Sequence, residues 1–342
     1  MTPTADAGGR NGTGLPPQAA PGSSGPLPRS DDPYDRGGGA APALLVCVGD
    51  LMVDVAVDAP ARARGGDVAG SVRLGPGGSA ANVAAWARAT GAGARLVAGR
   101  GDDLAGRLLA AALAERGIEL RPAEPAPSAS GALLVVREAG ERTFVADPGA
   151  NLHLDLRQVV GALAGAAAVF VSGYPLLRPE SRAAAMAAAG AAGRAGVPAV
   201  VDAASWPLLA GEAGQPVLAA AALAGTLLAN RDEAATLTGA PDPGVAAALL
   251  AARVGTAVVK WGAAGVVVCT GNGRPQPVPA PATGAVDVTG AGDAFAAGYL
   301  LARAGGADAA EAAGAGTRLA ARAVATHGAW PALTIGGRPE YP

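Results

Sequence analysis

Ala43-Leu44-Leu45-Val46-Cys47-Val48-Gly49-Asp50 is an unbroken apolar run closed by a glycine and a carboxylate. A strand with one wet face alternates polar and apolar residues, so a run with no alternation is read as buried on both faces. Similar runs recur at residues 95–98, 168–171, 198–201, 226–229, 256–259 and 265–269, with alanine-rich helical stretches between most of them. Strands alternating with helices predict an α/β fold in three layers, a central and mostly parallel sheet covered on both faces. Residues 53–57, 68–74, 132–137 and 142–146 are short and interrupted by polar residues. The last two are joined by Glu138-Ala139-Gly140-Glu141, which reads as a hairpin and marks a second, smaller sheet.

Composition narrows the chemistry. The chain has 342 residues and a formal net charge of −2, which gives no electrostatic case for nucleic acid. Its two cysteines, Cys47 and Cys269, lie inside apolar runs and read as buried thiols in a reducing, cytoplasmic setting. No secretory leader and no apolar stretch of about 18 residues is present, so no membrane span is expected. Lys260 is the only lysine and lies outside any phosphate-binding loop of the G-x-x-x-x-G-K type, and its strand-like setting argues against Schiff-base chemistry. His153 and His327 have no second ligand at metal spacing. There is no G-x-S-x-G elbow and no G-x-G-x-x-G after the first strand, which removes the usual signs of a serine hydrolase and of a dinucleotide enzyme. Residues 1–42 are rich in Gly, Pro, Ser and Asp and are read as a disordered extension. Residues 43–335 form the expected folded domain, with its small sheet drawn from about 53–74 and 131–147, and 336–342 a tail.

What remains is chemistry by carboxylates and glycine-rich backbone. Asp287-Val288-Thr289-Gly290-Ala291-Gly292-Asp293 turns on two glycines into an apolar, helix-forming run. Such a turn presents N–H groups at a helix N-terminus, a site for anions. Asp293 beside a bound anion suits the removal of a proton from a hydroxyl attacking a phosphate; alone, it reads equally well as a helix cap. A second cluster, Gly75-Pro76-Gly77-Gly78-Ser79-Ala80-Ala81-Asn82, leaves backbone bare for close approach and offers Asn82 as donor and acceptor. Ligands of open α/β sheets bind beyond the carboxyl ends of strands, so Asp50 and Asp54 are placed to meet one, although Asp50 reads equally well as a solvated loop residue.

Together these clusters resemble the two signature regions of the ribokinase, or phosphofructokinase-B, family of carbohydrate kinases. Asp287 to Gly298 fits the family pattern D-T-x-G-A-G-D-x-F-x-x-G closely, with Val288-Thr289 in place of the commoner Thr-x; the match around Asn82 is looser. The resemblance spans about residues 43–335. It implies a ribokinase-like fold with a small β-sheet lid and phosphorylation of a primary hydroxyl of a small sugar by ATP with Mg²⁺. Asp293 is then the base, and Gly290, Ala291 and Gly292 form the anion hole. Asp54, Gly77, Gly78, Asn82 and Asn151 fall at the sugar, and Asp103 is a further candidate there. Asn230, Glu233, Lys260, Gly262, Gly265 and Thr289 fall at the nucleotide, with Glu233 acting on Mg²⁺ through water. Asp287 is the candidate for a monovalent cation such as K⁺, and the lid for a homodimer contact. Two alternatives stand beside the sugar kinase: a nucleoside kinase, for which Trp86 and Phe144 are the candidate stacking partners, and a non-catalytic sugar- and ATP-binding regulator.

Overall fold

A computed structural model describes residues 42–58, 65–122, 124–138, 141–335 and 338–340. The expected extension at 1–42 falls almost wholly outside these residues. Strands and helices are numbered along the chain. The large sheet runs β13 (Gln276–Val278), β12 (Val266–Thr270), β11 (Thr256–Lys260), β10 (Thr226–Asn230), β9 (Ala199–Asp202), β8 (Ala168–Ser172), β1 (Leu44–Val48), β4 (Gly93–Val97) and β5 (Glu119–Arg121). From β11 to β5 every pairing is parallel; β12 and β13 add an antiparallel edge. The inner strands are buried on both faces, as their continuous Val and Leu runs predict.

Helices α1 (Ser79–Ala89), α2 (Leu104–Glu115), α3 (Leu156–Ala162), α5 (Pro179–Arg194), α6 (Gln215–Ala224), α7 (Arg231–Thr238), α8 (Pro243–Val254), α9 (Ala291–Ala304) and α10 (Ala309–Val324) alternate with the strands; α4 (Gly173–Leu176) is one short turn. Several begin on side-chain caps that satisfy otherwise orphaned N–H groups, among them Asp103, Asp155 and Asp242. Alanine dominates their buried faces, for example Ala184, Ala185, Ala188 and Ala189 on α5. Small side chains let helix and sheet backbones approach closely, which compensates for the shortage of large aliphatics.

A separate four-stranded sheet, in the order β3 (Ser71–Gly77), β2 (Met52–Asp58), β6 (Gly131–Glu138) and β7 (Glu141–Asp147), is the one expected as the lid. Only residues 49–51 separate β1 from β2, and only Gly78 separates β3 from α1. The expected strand at 68–74 lies three residues later, because Gly75, Pro76 and Gly77 pair with Asp54, Val53 and Met52 instead of forming a loop. Cross-strand partners share a face, which sorts the lid into two sides. Asp54, Ala56, Arg73, Leu133, Val135 and Phe144 share one; Val55, Val57, Val72, Leu74, Leu134, Val136 and Val145 share the other. At the C-terminal end, part of the expected tail pairs as a two-stranded ribbon, β14 (Leu333–Ile335) with β15 (Arg338–Glu340).

Candidate active site

Asp293 lies in the first turn of α9, whose cap is Gly290 in the left-handed region at φ 77°. A Cβ at Gly290 would come within 2.7 Å of the Ala329 carbonyl oxygen, so the turn needs glycine both for its conformation and for the loop behind it. This cap brings no side chain to the helix end. The N–H groups of Gly292 and Asp293, second and third in the helix, therefore have no partner within it. That of Ala291 makes a long 3.3 Å bond to the Val288 carbonyl. Unpartnered N–H groups at the positive end of a helix form an anion hole.

Asp293 is held from the other glycine cluster. Ser79 donates its hydroxyl to Oδ1 and Asn82 donates Nδ2 to Oδ2, each at 2.8 Å. Asn82 is fixed in turn by Trp330, whose indole Nε1 donates to Asn82 Oδ1 at 2.8 Å, and the Arg116 guanidinium lies 4.6 Å from the Trp330 ring. Burial pushes the Asp293 carboxyl up to about 7; the Asn82 and Ser79 bonds oppose this and the charge of Asp202 adds to it. That value lies near neutrality, where a general base works best.

Asp54 rests against the same glycine cluster. Its Oδ2 lies 2.2 Å from where a Cβ on Gly77 would be, so only glycine lets the carboxylate rest on the backbone there. Asp54 Oδ1 is buried and has no hydrogen-bond partner, and burial, then the charge of Asp50, pushes this carboxyl up to about 7. A buried acceptor oxygen left open is completed by a donor from a ligand. Asp50 is buried rather than solvated: it accepts the Ser79 N–H at 2.7 Å, holding the start of α1, and Gly78 at φ 97° packs over its carbonyl. Asn151 accepts from the Leu51 N–H and donates to the Leu51 and Pro148 carbonyls, so its amide joins the foot of β7 to the entry of β2. Asp103 caps α2 and accepts from the Ser130 N–H and hydroxyl, which hold its carboxyl below the usual range. Its oxygens anchor the root of β6.

Asn230 and Glu233 form a capping box on α7: Asn230 accepts from the N–H groups of Asp232 and Glu233, and Glu233 accepts from the Asn230 N–H. Lys260, at the end of β11, reaches across the end of β10 and donates to Asp202 Oδ2 at 2.7 Å. Burial raises the Glu233 carboxyl; Lys260 pulls it down and Asp202 pushes it up. Among the described residues no group of three or more His, Cys, Asp or Glu side chains forms a metal cage. A buried carboxylate pair, Asp202 and Glu233, beside an anion hole does fit an ion such as Mg²⁺, which keeps most of its own water. Thr289 donates its N–H and hydroxyl to Asp287 Oδ1, and Asp287 Oδ2 accepts the Gly328 N–H at 3.2 Å, tying the turn to the loop behind it. Gly262 and Gly265, both at positive φ, make the tight turn between β11 and β12. Trp86 is buried, its Nε1 donating to the Ala329 carbonyl at 2.9 Å, so it is not available to stack on a ligand. Phe144 is 60% exposed on the Asp54 face of the lid.

Three residues of this site were given no role of their own from sequence: Ser79, Asp202 and Trp330, the last lying in a segment, residues 326–331, that resembles the family's C-terminal one. Ser79 stands inside the second glycine cluster.

Over residues 42–334 the chain matches the pfkB family of carbohydrate kinases. It is 34% identical over 313 residues to the bifunctional protein HldE of Azorhizobium caulinodans, with 84% of this chain covered. The chain spans 62% of that relative's length. Adenosine kinase from Sinorhizobium meliloti superposes with a TM-score of 0.72 at 22% identity, covering 85% of this chain and 96% of that one. Aminoimidazole riboside kinase from Salmonella enterica gives 0.69 at 27% identity, covering 84% and 95%. The family match runs from just before β1 into β14 and takes in both glycine clusters, and the chain is a member of the pfkB family of carbohydrate kinases.

Proposed function

We propose that this chain transfers the γ-phosphoryl group of ATP to a primary hydroxyl of a small sugar, a pentose, hexose or keto-sugar acid. The observation that carries the reading is Asp293, a carboxyl raised to about 7 at the mouth of an anion hole. Asp54 and Asn82 hold acceptor hydroxyls, and the open Oδ1 of Asp54 takes one of them. Gly77 and Gly78 let the sugar approach the backbone, while Asn151 keeps β2 in place. Asp293 accepts the proton of the attacking hydroxyl, and the N–H groups of Gly292 and Asp293, with Ala291, stabilise charge on the phosphoryl oxygens. Asn230, Glu233, Lys260, Gly262, Gly265 and Thr289 line the nucleotide side. Mg²⁺, when bound with the nucleotide, neutralises phosphate charge, and Glu233 orients its waters. Asp287 is the candidate partner for K⁺ in the loop it ties.

Val72, Leu74 and Val145 are 61%, 66% and 59% exposed on the lid face away from Asp54. That apolar face supports a homodimer through the lid. Both cysteines are free and buried, which supports the cytoplasm as the site of action.

A nucleoside acceptor is the second reading. Phe144, exposed on the Asp54 face, offers a ring on which a nucleobase can stack, and adenosine and aminoimidazole riboside kinases are among the structural neighbours. ADP release with Mg-ATP, measured over pentoses, hexoses, ketoses, sugar acids and nucleosides beside Asp293→Asn, tests both. Turnover on one acceptor, abolished in the variant, establishes the kinase and its class. ATP binding without turnover on any acceptor favours the non-catalytic regulator.

A further inference from the structure

Lys260 is the single lysine among 26 basic residues, all the others being arginine. It is not on the surface, where the two cations are nearly interchangeable. Its side chain is 16% exposed, and its Nζ, bonded to Asp202 at 2.7 Å, lies 3.3 Å from where a Cβ on Gly292 would be. The ammonium therefore touches the second residue of α9, at the floor of the anion hole. Asp202 takes one of its three donors. A compact point charge fits against a glycine, whereas a planar guanidinium with five donors needs more room and a wider set of acceptors.

We propose that Lys260 is a catalytic residue of phosphoryl transfer, the side-chain cation on the migrating group, and that Asp202 is a positioning residue that aims it. This rests on the kinase reading above. In the step, the bond from the γ-phosphorus to the β–γ bridging oxygen breaks and its electron pair stays with ADP. The acceptor oxygen forms the new bond to phosphorus, and its proton passes to Asp293. Lys260 keeps its proton throughout and places a full positive charge beside the partial charges of the Gly292 and Asp293 N–H groups. A group that touches the γ-phosphoryl and nothing further along the nucleotide distinguishes ATP from ADP.

A single lysine makes the test direct, because protein grown with isotope-labelled lysine shows one ε-CH₂ signal by NMR. A non-hydrolysable ATP analogue with Mg²⁺ is expected to shift that signal strongly, and ADP with Mg²⁺ far less. In Lys260→Met, shown to be folded by its circular dichroism, affinity for the analogue should fall about 10-fold or more while that for ADP stays within twofold. Its kcat should fall on the order of 10²–10³-fold, with little change in the acceptor KM. Asp202→Asn should give an intermediate loss with the same selectivity for the triphosphate. Equal weakening of both nucleotides, or a lysine signal indifferent to the third phosphate, overturns the assignment and leaves a structural ion pair. Wild-type protein that binds neither nucleotide sinks the kinase reading and this inference together, a result distinct from normal binding with an unmoved lysine.

Discussion

Asp293→Asn should make the protein more stable as it becomes inactive, and the gain should depend on pH. Burial raises this carboxyl from an ordinary 3.8 to about 7. Three units at 1.36 kcal/mol each set a ceiling of about 4 kcal/mol on what its ionisation costs the fold. Asp293 is only partly buried, so about 1–3 kcal/mol is expected. The sign follows from proton counting. Below pH 4 the carboxyl is protonated in both folded and unfolded chains and nothing is lost. Between 4 and 7 the folded chain retains the proton that the unfolded chain releases, so stability falls as pH rises; above 7 the penalty is complete. The amide avoids it. Its oxygen can face the Asn82 donor and its nitrogen Ser79, whose hydroxyl can turn to accept. Thermal melts at pH 8 should show the variant a few degrees above wild type, the difference closing toward pH 4, with turnover down on the order of 10³-fold. A variant less stable at pH 8, or an offset that ignores pH, would refute the claim that the base is strained by burial.

Wild-type kcat/KM should lose about tenfold per pH unit below about 7, because the free enzyme then carries a protonated Asp293; a profile flat to pH 5 contradicts it. Gly77→Ala puts a methyl group 2.2 Å from Asp54 Oδ2 and should raise the acceptor KM at least tenfold while nucleotide binding, measured calorimetrically, stays put. Trp330→Phe keeps an aromatic ring but removes the donor to Asn82, which should lower kcat about tenfold and cost at least about 1 kcal/mol in chemical denaturation. Leu74→Lys on the apolar lid face should shift the species seen in light scattering from dimer to monomer with the melt unchanged.

The sheet was legible because burial on both faces leaves a mark that composition alone carries: unbroken Val and Leu runs. The two strands of the large sheet that escaped notice, β5 and β13, are three-residue edges reading Glu119-Leu120-Arg121 and Gln276-Pro277-Val278, with too little burial to leave that mark. At the site, glycines announced the two turns because backbone geometry is written locally. The brace on the base was not legible. Ser79 and Asp293 are 214 positions apart, and Trp330 and Asn82 are 248 apart. Nothing near Trp330 in the chain distinguishes an indole that orients an amide from one that fills a core. Asp202 likewise ends an ordinary buried strand, and its partner is set by which strand lies two places away.

The shortness of the joints between β1 and β2 and between β3 and α1 constrains how such a protein diversifies. A residue inserted or deleted in 49–51 slips β2 by one and turns Asp54 to the far side of the small sheet, and one at 78 slips β3 and moves Gly77 from beneath it. Length changes among descendants are thus filtered out at the roots of the lid. They are tolerated beyond the last strand pairs, Asp58 with Ser71 and Glu138 with Glu141, where added length leaves the register of Asp54 unchanged. On the function proposed above, length added beyond those pairs would change which acceptors fit while leaving Asp54 and Asp293 where they are.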